Sequence, residues 1–189
     1  MTYVDIEKAL MASFATMLTG FATNDGTIRV AYQQEASPSW KQTDNILAFY
    51  LSPVDNVMSE DQFDSIKYNS VTDKITRTNT KTDVIEVNIS FYGPNCRENA
   101  SLVRRLIQKS PYNDNLTKVG IYPVPKTPTA RYLPYEYNKQ WWQRADLVLT
   151  INVLNSHTDS INRIVSVPIT TTTNKGDVNY DVITVDTNS

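Results

Sequence analysis

The stretch from Gln143 to Asn155 reads QRADLVLTINVLN. Ala145, Leu147, Leu149, Ile151 and Val153 alternate strictly with Asp146, Val148, Thr150, Asn152 and Leu154. Successive side chains of an extended chain point to opposite faces, so a period of two predicts a strand with one buried face. Thr82 to Tyr92 repeats the pattern, with Ile85, Val87, Ile89 and Phe91 on one face and Val84, Glu86, Asn88, Ser90 and Tyr92 on the other. The first of these faces is core and the second is mixed. Ile46 to Leu51 (ILAFYL) is a short, continuous, aromatic-rich apolar run and predicts a strand buried on both faces.

Outward from these strands the period changes to that of a helix. Ile6, Leu10, Phe14, Met17 and Leu18 fall on one helical face, with Thr2 and Asp5 as a capping pair and Gly20 as the stop. After the Gly93-Pro94 break, Leu102, Val103, Leu106 and Ile107 form a second apolar stripe. Asn95 is its expected cap with Glu98 in the reciprocal position, and Ser110-Pro111 its end. Arg104, Arg105 and Lys109 lie toward its C-terminus, where cations suit the helix dipole. Two helices against one mostly antiparallel or mixed sheet bury these faces most economically, which makes the fold class α+β.

The remaining segments are less regular. Asn24-Asp25-Gly26 predicts a turn before a half-buried strand through Ile28, Val30 and Tyr32. Lys74 to Thr80 is the expected hairpin partner of Thr82 to Tyr92. A short strand is expected over Lys118 to Val124, followed by an extended stretch punctuated by Pro123, Pro125, Pro128 and Pro134. Ile161 to Ile169 is the expected partner of the 143–155 strand, across a turn that holds His157. Ser52 to Asn69 carries Asp55, Glu60, Asp61 and Asp64 with little periodicity. It predicts a long loop, continuing to Thr80 as a loop or hairpin, that contacts a partner. Residues 1–169 form the expected single domain and residues 170–189 a C-terminal arm. In that arm Val178, Tyr180 and Val182 alternate with Asn179, Asp181 and Ile183. Such a segment can pair onto another chain's sheet edge or fold back on its own sheet, and both readings stand at this point.

Composition narrows the function. Of 189 residues 40% are hydrophobic and 20% charged, so Thr, Asn, Ser and Gln carry much of the surface. Uncharged polar groups cost less to bury against a partner than charges do. The net charge of -2 lacks the basic excess of a phosphate-binding domain. A single cysteine, Cys96, permits no intrachain disulfide and suits a reducing cytoplasm. The N-terminus has no basic region followed by a long apolar run, so no signal peptide is expected, and no stretch is apolar enough to span a membrane.

Chemistry-bearing constellations are sparse. His157 reads as a solvated turn residue, and Cys96 as a small residue in a first helical turn or, less commonly, a low-pKa thiol. The glycines are scattered, so no phosphate-cradling loop is present, and the acidic run lacks the spacing of a calcium loop. No catalytic residue, cofactor or metal is expected. Trp141 and Trp142 are read as core or interface anchors. The rival reading is a carbohydrate-binding or hydrolytic module built on Trp141, Trp142 and the acidic loop.

Three features resemble the neck and tail terminator (tail-completion) proteins of tailed bacteriophages. They are an N-terminal helix followed by Tyr32, Gln33 and Trp40, the junction VNISFYGPNC from Val87 to Cys96 ahead of an amphipathic helix, and Trp141, Trp142, Arg144, Ala145, Asp146 and Leu147 opening a long strand after Arg131, Leu133 and Pro134. The resemblance spans roughly Thr2 to Ile169. It implies a small α/β fold without cofactor or catalytic residues. It also implies a ring, commonly a hexamer, in the virion neck and assembled in the host cytoplasm. The ring stops tail-tube polymerisation, joins the tube to the head connector and lets DNA pass through its lumen without sequence specificity. The implied partners are other copies of the chain, the tail-tube protein and a head-connector or head-completion protein. Another connector or tube component is the alternative within the same class. Under this resemblance Arg144 and Asp146, beside the Trp pair, become candidate subunit contacts, against the plainer reading of a local ion pair on an exposed strand face.

Overall fold

The computed structural model describes residues 1–22, 26–32, 40–57, 60, 62–72, 74–162, 166–172 and 178–184. Its elements fall in two compact units, Met1–Gln62 with Thr80–Asn155, and Phe63–Asn79 with Ser156–Ser189.

The first unit opens with helix α1 (Tyr3–Met17), which buries Ile6, Leu10, Phe14 and Met17. The capping box is present: the Asp5 amide donates to Thr2 Oγ1 at 3.3 Å, and the Thr2 amide donates to Asp5 Oδ2 at 3.1 Å. The Thr2 hydroxyl also donates to that carboxylate, at 2.6 Å, and chiefly through this bond holds the Asp5 pKa below its ordinary value. A depressed folded-state pKa gives stability that is present above the unfolded value and is lost as pH falls through the folded one. The first turn of α1 is therefore expected to fray in acid below about pH 4. Cα chemical shifts of residues 3–6 moving toward coil values as pH is lowered, with Asp5→Ala frayed already at neutral pH, check this.

Strands β1 (Ile28–Val30), β2 (Ile46–Val54), β4 (Lys74–Tyr92), β9 (Arg144–Asn162) and β5 (Ile121–Pro123) are neighbours in that order. β1 runs parallel to β2, β2 antiparallel to β4, and β5 antiparallel to β9. Ser90 bonds Asp146 and Asp83 bonds Asn155, so residue numbers rise on β9 as they fall on β4, and that pair is antiparallel too. Short strand β6 (Arg131–Tyr132) pairs with the start of β9, and β3 (Gln62–Asn69) pairs with β4. Helix α2 (Cys96–Leu106) and the single turn α3 (Asp114–Thr117) join α1 on one face. The core is continuous from α1 and α2 to Leu47 and Phe49 of β2, the 85–91 apolar face of β4 and the 145–153 apolar face of β9. Phe14 meets Phe49 edge to face at 5.6 Å. Buried Ser13 is satisfied by donating to the Tyr112 carbonyl at 3.0 Å, which ties α1 to the segment before α3.

The apolar faces of α1, β4 and β9 are as the periodicity predicts, and so is the α+β class. Several boundaries differ. The expected 52–69 loop is mostly strand: β2 continues through Val54 and β3 begins at Gln62. Lys74 to Thr80 is no separate hairpin arm but the first part of the 19-residue β4. The expected turn at His157 is also absent, because β9 runs unbroken to Asn162. His157 is exposed there, with Nε2 2.9 Å from Asp159. Asn95 makes no side-chain cap on α2; instead its amide donates to Asn45 Oδ1 at 3.1 Å. The Asn24-Asp25 half of the predicted turn lies outside the described residues.

Two further hairpins complete the chain. β7 (Tyr135–Tyr137) and β8 (Gln140–Trp142) pair across Asn138 and Lys139, whose φ values of 52° and 60° are those of a type I′ turn. In the second unit β10 (Ser166–Thr172) pairs antiparallel with β11 (Val178–Thr184) over seven positions. Ile161 to Ile169 is thus not the antiparallel partner of the 143–155 strand; its C-terminal part pairs with the C-terminal segment.

Candidate subunit interface

The alternation that buries Ala145, Leu147 and Leu149 turns Arg144, Asp146 and Val148 to the sheet face opposite the helices. Arg144 and Asp146 meet there as a bidentate pair, Nε to Oδ1 at 2.7 Å and Nη2 to Oδ2 at 2.8 Å. Ser90 Oγ, on the neighbouring β4, donates to the same Oδ1 at 2.8 Å. The bond to Asp146 raises the Arg144 pKa against the opposing effect of burial. The pair is partly open to solvent, so its contribution to stability is about 1 kcal/mol at most. It fixes geometry: the planar fork holds both side chains in one orientation.

Arg144 also ends a stack of rings and guanidinium groups across the sheet. Its guanidinium is 5.8 Å from the Tyr92 ring, Tyr92 is 5.8 Å from Trp40, and Arg29 lies 4.9 Å over Trp40. Tyr135, on β7, meets Tyr92 edge to face at 6.2 Å. Arg29 is only 7% exposed, and burial lowers its pKa. Two cavities flank the stack. One of about 280 Å³ is lined by Arg29, Trp40, Tyr50, Ser90, Tyr92 and Arg144, and one of about 270 Å³ by Asn88, Ser90, Arg131, Leu133 and the Arg144–Asp146 pair among others. Among the described residues Asp146 is the only carboxylate lining either cavity, and Arg144 already holds it.

The two tryptophans part company because adjacent strand residues face opposite ways. Trp142 is half-buried, whereas Trp141 is 64% exposed and its carbonyl accepts a hydrogen bond from Gln42 Nε2. The structure thus brings Trp141, Trp142, Arg144 and Asp146 to one end of β8 and β9. It does not bring them near Asp55. Asp55 follows the far end of β2 and is exposed, as is Glu60; Asp64 belongs to β3; Asp61 lies outside the described residues. Val178, Tyr180 and Val182 oppose Thr172, Thr170 and Pro168 on β10.

Arg29, Trp40, Ser90 and Tyr92 join the candidate site, to which sequence reasoning did not assign them. Ser90 and Tyr92 belong to the β4 face read as mixed, and Trp40, Ser90 and Tyr92 lie within the features that carry the family resemblance. Cys96 is fully buried, and desolvation raises its thiol pKa, opposite to the shift a helix N-terminus would give a reactive thiolate. Among the described residues no cluster of three or more His, Cys, Asp or Glu side chains is placed to hold a metal ion, and no helix is long and apolar enough to cross a membrane.

Residues 5–176 match a family model described as phage neck terminator protein. No curated protein matches the chain.

Proposed function

The chain belongs to the phage neck terminator family, and from that membership we propose that it closes into a ring, of six copies by the family resemblance, that ends tail-tube growth and joins the tube to the head connector. The match over residues 5–176 carries this reading. The family is one of structural proteins of the virion neck, and the described surface suits assembly. No described helix lies over one sheet face, and its polar groups are oriented by the Arg144–Asp146–Ser90 bonds. Trp141 stands exposed at its border, a rigid anchor of the kind that dominates interfaces. In the second unit Ile66, Tyr68 and Val71 are exposed on β3 and its turn, a contact surface for the tube or connector protein.

The C-terminal hairpin supports the same reading. A two-stranded ribbon is marginal in water by itself, and β10–β11 forms its own sheet with both outer edges free of other described strands. Pairing of such an edge onto a neighbouring subunit stabilises both, which makes β10–β11, rather than residues 170–189 alone, the proposed arm. DNA passes through the lumen in this reading, and the net charge of -2 keeps it from sticking or being read by sequence.

The mass of the assembled protein tests ring closure. Native mass spectrometry over a range of protein concentrations is expected to show a single closed oligomer in equilibrium with subunits. Monomer at every concentration would sink the ring, and an open ladder of ever larger species would favour a tube component instead.

A further inference from the structure

The helix side of the first unit carries a groove that the sheet-face contacts do not use. It lies between α2 and the extended 124–132 segment, as two adjoining cavities of about 340 Å³ each that share Ser101 and Arg104. Arg97, Arg104 and Arg105 line it, and no described acidic residue does. All three arginines are exposed, and none forms an ion pair with a described residue. Two of them are held in place: Arg97 lies 3.5 Å over the Tyr132 ring, and Arg104 Nε donates to the Thr127 carbonyl at 3.2 Å. Gln108 is fixed likewise on the Val124 carbonyl at 2.8 Å. A net-negative chain has thus gathered three cations along one helix face and oriented two of them, over a floor that includes Ala130 and Tyr132.

The same chain carries a complement. Residues 52–66 read SPVDNVMSEDQFDSI, with four acids and no base. Asp55 and Glu60 are exposed, and Val57 between them is 82% exposed. None of this segment's described residues lines the groove of its own chain. It leaves β2, which beyond Phe49 is an edge strand among the described pairings, whereas the groove borders β6 on the other side of β4 and β9. The two edges are about three strand spacings, about 14 Å, apart. Complementary patches on opposite edges of one subunit are what a head-to-tail contact requires, and a head-to-tail contact repeated by rotation closes a ring.

We propose that the acidic segment following β2 of one copy docks in the α2 groove of the next, its carboxylates on Arg97, Arg104 and Arg105 and Val57 on the apolar floor. This rests on the ring reading and adds its polarity: every subunit gives one acidic segment and receives another.

The test uses the full chain carrying Asp55→Lys and Glu60→Lys, whose groove is left unfilled in any assembly. A fluorescein-labelled peptide of residues 52–66 is titrated against it by anisotropy. Saturable binding is expected, weakening about tenfold when salt is raised from about 50 to about 300 mM. Adding Arg104→Glu and Arg105→Glu is expected to abolish it, with circular dichroism confirming that this variant is folded. No binding, binding unchanged by the two glutamates, or a random-sequence oligonucleotide taking the groove where the peptide does not, overturns the proposal. The wild-type oligomer mass reads the ring independently, so rings without peptide binding sink only this contact.

Discussion

Replacing Gly93 by alanine is expected to lower the stability of the first unit by about 2–4 kcal/mol, from strain and overpacking together. For a chain of this size that corresponds to a melting temperature lower by about 5–15 °C. Gly93 joins β4 to α2 at a φ of 99°, outside the range L side chains readily adopt. A Cβ there would stand 2.3 Å from the Asp44 carbonyl oxygen and 2.9 Å from Asn45 Oδ1. The first of these atoms is backbone and cannot swing away. Moving it displaces the entry to β2, where Ile46 opposes Tyr92, and breaks the bond from the Asn95 amide to Asn45. The disturbance therefore reaches the Tyr92–Arg144 stack as well as the core. Gly20 is the control, because its φ is 82° but nothing lies within 4 Å of an added Cβ. Gly20→Ala should cost about 1 kcal/mol, from strain alone. Thermal melts followed by circular dichroism compare the two, and equal losses would show that close packing at the β4–α2 junction is not what fixes Gly93.

Ending the chain after Asn162 is expected to leave the first unit folded and to prevent assembly. Every described residue of the hydrophobic core lies between Ile6 and Val153, and β10 and β11 pair with each other in a sheet of their own. The melting temperature should stay within about 3 °C of the full-length value. Incorporation into particles should drop about tenfold or more, as for loss of an edge-pairing contact. Particles assembled with the truncated chain in place of the full one, quantified by mass spectrometry of purified virions, give the second number. A truncated chain that unfolds would assign the hairpin to the domain's own stability. One that incorporates at the full-length level would remove it from the interface.

What was legible in the sequence follows from what hydrophobic periodicity measures. Ala145 to Val153, Ile85 to Phe91 and Ile6 to Leu18 read correctly because each has one face in the core, and a period of 2 or 3.6 is the trace of that burial. Residues 74–81 of β4 have no buried residue, and 74–80 read as a separate hairpin arm instead of the start of one long strand. Residues 156–161 of β9 are exposed and leave no alternation, so a strand held by backbone pairing reads as a turn there. β3 likewise read as loop, since it lay within the polar stretch after Val54. The hairpin at Asn138-Lys139 was missed for a different reason, since its turn takes Lys rather than Gly at the second left-handed position. At the interface, the Arg144–Asp146 spacing of two was visible because both residues lie on one strand. The Arg29–Trp40–Tyr92–Arg144 stack was not, because two of its contacts, Trp40 to Tyr92 and Tyr92 to Arg144, join residues distant in sequence that only the fold brings together. Cys96 shows the opposite error that position alone permits: a helix N-terminus suggests a lowered pKa, and complete burial raises it.

In the proposed function, identical copies of this chain form one closed ring at the junction of head and tail. A reconstruction of the neck of particles containing it, at a resolution that traces β4 and β9, tests the ring. A single closed layer is expected between the tail tube and the head connector, with the α2 groove of each subunit facing the residues after β2 of its neighbour and β10–β11 reaching an adjacent chain. Isolated copies, a stack of repeating layers, or absence of the chain from the neck would contradict it.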